Sequence, residues 1–309
     1  MRRILKKLFY KNVSVVEYSG ITIRDTIQEK VYLKINNQLI DVSAYHWVLC
    51  LQPLIFGVWI SKQDGNRDIS INKPFSLLFR ESNPSKKLAD VSLSLFNIIE
   101  EQNGKLLLLK AEKSKIWHTT VFETILLYLF FYRKPGFNFK KFKLYVSAFS
   151  YPRQVRMVSF QNKDYYNIFP MDLAGPVAGA NYYVFGLRHT SKALKEIINE
   201  KKLVVSEVPS DYKKIIYELG SHHSSTPPPL NQLPFQAILS KHFCFPVPKW
   251  AEKYNEIRIV HTMNLGSHMM LWGQSENEEI INPQKSNLYH IHFLLSLIKK
   301  RASPDYIEV

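Results

Sequence analysis

The sequence predicts a mainly β protein with packed helices, an α+β fold whose C-terminal half forms a small antiparallel barrel. Three observations predict it. Short runs rich in β-branched, aromatic and leucine residues recur along all 309 residues, with turn signals such as Asn103-Gly104 between them. The second half reads strand, strand, helix, strand, helix, strands, helix, without the regular alternation of a doubly wound sheet. No Gly-x-Gly-x-x-Gly follows a predicted strand, so a dinucleotide-binding crossover is not expected.

In chain order, residues 31–35, 48–60, 75–79 and 106–110 read as strands, with a turn at Gln63-Asp64-Gly65-Asn66. Leu88, Val91, Leu95 and Ile98 recur at spacings of three and four, which predicts a helix over 86–102. Lys134-Pro135-Gly136 breaks the chain, and a basic strand is expected over 142–149. The domain boundary is placed there, giving an N-terminal α/β region (1–140) and a C-terminal domain (141–309). Residues 154–160 and 182–187 follow as strands, then a helix over 190–201 capped by Thr190 or Ser191. After a short strand at 203–206, a helix from Ser210 carries Tyr212, Ile215, Ile216 and Leu219 and stops at Gly220, a left-handed cap by type. The Ser- and Pro-rich stretch 220–229 is an exposed loop. Strands at 256–264 and 267–275 follow, and a helix over 287–300 ends with a basic last turn.

Composition narrows the function classes. The chain is 46% hydrophobic and 22% charged, which suits a globular protein. Its net charge of +15 is spread in short pairs such as Lys140-Lys141 and Lys201-Lys202, without aromatic–basic interleaving, so nucleic acid is not the expected partner. The most apolar runs, 46–60 and 121–132, are shorter than the roughly 20 residues that span a bilayer. No membrane partner is expected, and the expected location is cytoplasmic. Cys50 and Cys244 are too few for a disulfide framework. His222, His223, His242 and Cys244 match no standard zinc spacing, and His290 and His292 fall on different faces of the expected last helix.

Four segments carry a resemblance. Tyr151-Pro152-Arg153-Gln154-Val155-Arg156-Met157-Val158 looks like a P-x-x-V-x-x-V strand. Asn167-Ile168-Phe169-Pro170-Met171-Asp172-Leu173-Ala174-Gly175 occupies the place of an N-x-x-T loop. Phe185-Gly186-Leu187-Arg188-His189-Thr190-Ser191-Lys192 is similar to a strand ending beside a phosphate. Leu265-Gly266-Ser267-His268 opens an L-G-S-H strand. In this order they resemble the flavin reductase-like, FMN-binding split-barrel family over roughly residues 145–280, about half the chain.

The resemblance implies FMN as cofactor and hydride transfer from NAD(P)H to the flavin; the alternative is a non-catalytic FMN carrier. It places Asn167, Phe169, Pro170, Met171, Asp172 and Leu173 along the isoalloxazine, and Arg188, His189, Thr190, Ser191 and Lys192 at the phosphate. On spacing alone, that second group also reads as an ordinary Ser/Thr helix cap. His268 is the candidate catalytic residue, positioned at the flavin or the nicotinamide entry, against the plainer reading of a satisfied strand histidine. Phe169, Pro170 and Met171 depart from the family, whose members often place hydroxyls there, so the ligand follows more firmly than the reaction. A homodimer is implied too, because a lone split barrel leaves one face of the ring uncovered.

Within the N-terminal half, the segment Pro53 to Lys62 resembles the segment Tyr182 to Lys192. It marks either a degenerate second barrel that supplies the missing wall or an unrelated appendage of similar composition; the appendage is the plainer reading.

Overall fold

The computed structural model describes residues 18–23, 26–36, 38–62, 74–83, 85–220, 227–283, 286–292 and 306–308. A leading strand, β1 (Tyr18–Ile23), precedes seven strands of one antiparallel sheet: β2 (Lys30–Ile35), β3 (Gln38–Asp41), β4 (His46–Leu51), β5 (Leu54–Ser61), β6 (Phe75–Arg80), β7 (Lys87–Glu101) and β8 (Gly104–Ile116). Helices α1 (Val121–Leu127) and α2 (Phe139–Ala148) then lead into the second half. There β9 (Arg153–Gln154), β10 (Arg156–Gln161), β11 (Tyr166–Met171), β12 (Ala174–Val177) and β13 (Tyr182–Arg188) precede α3 (Ala193–Glu200), β14 (Lys202–Glu207) and α4 (Lys213–Leu219). A small hairpin of β15 (Ala237–Leu239) and β16 (Pro246–Pro248) is followed by β17 (Lys253–Asn264), β18 (His268–Ile280), β19 (Leu288–His292) and β20 (Tyr306–Glu308).

The first sheet runs β3-β2-β6-β7-β8-β5-β4 and the second β11-β10-β14-β17-β18-β13-β12. Counted within each half, both orders are 2-1-5-6-7-4-3, and every pairing is antiparallel. The chain therefore contains the same barrel topology twice. The weak internal similarity falls on matching strands, β5 and β13, the fourth of each set. Of the two readings of the N-terminal half, the second barrel describes the fold.

Each barrel closes on a core made from one face of its strands. In the first, Val31 and Leu33, Phe56 and Val58, Phe75 and Phe79, and Leu107 and Leu109 meet in one cluster; in the second, Val158, Phe185, Leu187, Val204, Ile257 and Leu271 do so. The other faces of β5, β8, β13 and β18 pack together. Ile55, Trp59, Leu106 and Leu108 of the first barrel meet Val184, Met270 and Trp272 of the second. Burying each such side chain contributes about 1.5–3 kcal/mol. With both faces covered, these strands read as continuous apolar runs rather than as alternation. Glu101 accepts from the Tyr182 hydroxyl (2.9 Å) and the Trp272 indole (2.8 Å) at one end of this seam. At the other, Gln52 and Ser267 exchange bonds of 2.8 and 3.1 Å. A four-stranded sheet, β20-β1-β19-β9, ties the N-terminal strand to the second half.

Several expected elements differ. The helix expected over 86–102 is β7, fifteen residues paired on both sides, so the N-terminal half is a barrel and not an α/β region. Residues 142–148 belong to α2, with Phe149 at its C-terminal cap, and not to a strand: Asn138 caps the start by accepting from the Lys141 N–H at 2.9 Å. The C-terminal helix is overturned at its start, because Leu288–His292 pairs with β1 and β9 as a strand; residues 293–300 lie outside the described residues. Lys192 stands at the N-cap of α3 without a side-chain bond, so neither Thr190 nor Ser191 caps it. Gly220 ends α4 at φ −59°, a right-handed conformation, not a left-handed one. The turn at 63–66 and the pair His222-His223 lie outside the described residues. Among the described residues, no helix is long and apolar enough to cross a membrane.

Candidate functional site

A cavity of about 630 Å³ opens where the two barrels meet. Its floor comes from the second barrel. The end of β11 and the following turn give Phe169, Pro170, Met171, Asp172 and Leu173, and β13 gives Gly186, Leu187 and Arg188. Arg188 is paired with His268 across the β13–β18 ladder, so both side chains share one face and line the cavity together. The opposite wall comes from outside the second barrel: Leu51 of β4, and Tyr145 and Phe149 of the α2 segment.

Gly186 explains how closely the barrels approach. A Cβ there would lie 2.0 Å from the Leu49 carbonyl oxygen, so only glycine lets β4 pass over β13.

One edge of the cavity is a hydrogen-bonded chain. Arg153 donates to Asp172 at 2.8 Å, His290 Nδ1 lies 2.9 Å from the same carboxylate oxygen, and the Tyr217 hydroxyl lies 2.9 Å from His290 Nε2. The two ring nitrogens of His290 thus join the Asp172 carboxylate to the Tyr217 hydroxyl. Burial alone would raise the Asp172 carboxyl. The Arg153 guanidinium and His290 override it and hold the group well below the usual carboxylate range. Arg153 also stacks on Phe149, 3.3 Å from the ring centroid.

His268 is buried, and its Nδ1 lies 2.8 Å from the Ser267 hydroxyl, which fixes the ring. The remaining expected residues divide. Asn167 is fully buried in β11, donates to the Tyr165 hydroxyl at 2.6 Å and does not line the cavity. His189 lies 3.2 Å from Asn264, and Thr190 and Lys192 are exposed; none of the three lines the cavity. Ser191 is buried with an unpartnered hydroxyl just ahead of α3, whose N-cap has no side-chain bond. Tyr217, His290, Tyr145, Phe149 and Leu51 are additions to the expected set, while Arg153 reaches the cavity only through Asp172. His290 was hidden by the helix expected there; strand alternation from Leu288 would have marked it.

The repeat shows what became of the same place in the first barrel. Phe56 pairs with Leu109 as Phe185 pairs with Leu271, so the ladders superpose in register. Trp59 and Leu106 then stand where Arg188 and His268 stand. The polar pair is replaced by an indole and a leucine, and Trp59 stacks on Trp272 with centroids 5.8 Å apart.

No family model matches the chain, and no curated protein matches it. Among solved structures it is similar to the FMN-binding protein from Thermus thermophilus with bound p-hydroxybenzaldehyde: 16% identity, TM-score 0.37, covering 42% of this chain and 73% of that one. It is also similar to the Streptomyces globisporus C-1027 NADH:FAD oxidoreductase SgcE6 (13%, TM-score 0.43, 48% and 86%). A third is the flavoredoxin from Methanosarcina acetivorans (15%, TM-score 0.37, 43% and 75%). At these values the likeness carries no weight for chemistry, which has to come from the cavity's own side chains.

Proposed function

We propose that the protein is an FMN-binding oxidoreductase of flavin reductase type, with one flavin site formed within a single chain. One observation carries this reading: the cavity at the seam gathers Phe169 to Leu173, Arg188 and His268, from three separate motifs of the resemblance. The residues fit the cofactor. A volume of about 630 Å³ lies in the range of small-molecule sites, and the walls combine apolar faces with a few convergent polar groups. Arg188 at the rim, the unpartnered Ser191 hydroxyl and the uncapped start of α3 suit a phosphate.

A bound flavin would take a hydride from a nicotinamide at N5, chemistry that belongs to the cofactor. The chain's own residues bind and orient. Leu51 and Phe149 line the side of the cavity opposite the second barrel and would supply the wall that a second subunit supplies in the implied dimer, so the site would need one chain. His268, held by Ser267, would position the incoming ring, and Tyr217, tied through His290 to Asp172, would form a fixed polar edge of the site.

The alternative, an FMN carrier without nicotinamide activity, is favoured by the loss of hydroxyls at Phe169, Pro170 and Met171. Mixing FMN-loaded protein anaerobically with NADH or NADPH separates the two. Bleaching of the flavin absorbance supports the reductase; an unchanged flavin with both donors sinks it.

A further inference from the structure

The register that aligns the barrels also locates a counterpart of the flavin cavity. Val48 pairs with Phe56 as Ala174 pairs with Phe185, so counting back sets Ser43, Ala44, His46 and Trp47 against Phe169, Pro170, Asp172 and Leu173. The first four, with Pro176 in the place of Leu51, line a second cavity of about 270 Å³ at the same seam. The mate site has shrunk, but it has not closed.

Its polar lining differs in kind. Arg153, Gln154 and Arg156 face it, and Arg153 and Arg156 are 9% and 7% exposed. Arg153 Nε and Nη1, Gln154 Nε2 and Arg156 Nε are buried without a hydrogen-bond partner. All four are donors, and none of the other buried unpartnered side-chain atoms belongs to a residue lining this cavity; the Asp172 carboxylate, which also lines it, is held through one oxygen by Arg153 and His290. Buried N–H groups without acceptors are unfavourable and rare. The guanidiniums are only partly committed elsewhere. Arg153 holds Asp172 at 2.8 Å through Nη2, while Arg156 donates to Ala174 O at 2.9 Å and to Gln154 at 2.5 Å, with Glu207 4.0 Å away. His46 adds no charge at neutral pH, because burial lowers its pKa to about 4.

We propose that this smaller cavity is a second binding site, for a small oxyanion presented as a carboxylate or a phosphate, held by Arg153, Gln154 and Arg156. Planar, forked guanidinium donors match such groups, and the volume admits a small acid. The site stands apart from the flavin reading, since its donors and walls are the same whether or not FMN binds next door. Asp172 lines both cavities, so the two sites share a wall.

Isothermal titration of the full chain with inorganic phosphate and with malonate, against chloride at matched ionic strength, tests the proposal. Saturable binding of at least one oxyanion, absent with chloride, is expected, with one equivalent kept in Arg188→Ala, which removes phosphate held at the rim of the larger cavity; which probe supplies that equivalent tells phosphate from carboxylate. Arg156→Met should weaken it at least tenfold, while Arg188→Ala, in the larger cavity, should leave it unchanged. If Arg156→Met fails to fold by circular dichroism, Gln154→Met, at a half-buried position, should still weaken binding severalfold. No saturable binding of either probe, or loss with Arg188→Ala but not with Arg156→Met or Gln154→Met, overturns the site.

Discussion

At the scale of single residues, Arg188 and His268 share a ladder rung, and in the proposed flavin site they would divide the work. Arg188 is exposed at the rim and suits the phosphate, so Arg188→Ala should weaken FMN by about ten- to a hundredfold, the cost of one charged hydrogen bond, in a fluorescence titration. His268 is buried beside the ring position, and His268→Ala should keep most of that affinity while slowing NAD(P)H-dependent reduction several-fold to a hundredfold in stopped flow. Equal loss of affinity in both variants would merge the two roles. His46 supplies a pH signature. Burial lowers it from 6.5 to about 4, so the unfolded chain binds the proton first. Stability is then complete above pH 6.5 and falls as pH drops toward 4, by up to about 3 kcal/mol. His46→Gln should flatten that limb of a denaturation series; an unchanged slope would assign it to other groups. These residues were unequally legible. Arg188 and His268 lie in motifs, whereas Tyr217 reaches the site through tertiary packing of α4, which no local pattern states, and His290 lies on β19, in place of the expected helix.

At the scale of elements, α2 lies on the connection between the barrels and lines a wall of the cavity. It rests on a cap: Asn138→Ala removes the acceptor for Lys141 and should cost about 1 kcal/mol in urea unfolding, within roughly 0.5–2. No change would mean that packing of Phe142 and Val146 alone holds the helix. The strand expected over 142–149 came from apolar residues at 142, 144, 146 and 148, yet these are buried in a helix because one side packs on Tyr128 and Tyr132 and the other on β8. The reverse happened in β7. Leu88, Val91 and Leu95 fit a helical period, but Ala89, Val91 and Leu93 fit a strand, and bulges at Ser92/Leu93 and Leu95/Asn97 blur the alternation. Twelve paired residues on β8 decide for the strand. By contrast β13, β17 and β18, rich in aromatic and branched residues around the Gly266 turn (φ +115°), were readable from sequence.

At the scale of the whole molecule, two barrels of one topology face each other across a seam with two cavities, one of about 630 Å³ and one of about 270 Å³. The repeat itself was faint in sequence, because matched positions such as Trp59 and Arg188, or Leu106 and His268, now serve different surroundings. What survives is the hydrogen-bond register, which depends on backbone and not on side-chain identity. The central claim is that this asymmetry leaves one flavin site per chain, complete without a partner. Calorimetric titration of FMN into the full chain, with the mass measured by light scattering on the same sample, tests it most directly. The account predicts one FMN bound per 36.2 kDa chain, with the same stoichiometry and affinity when the species is a monomer. Two FMN per chain, no saturable binding, or binding confined to a dimer fraction would contradict it.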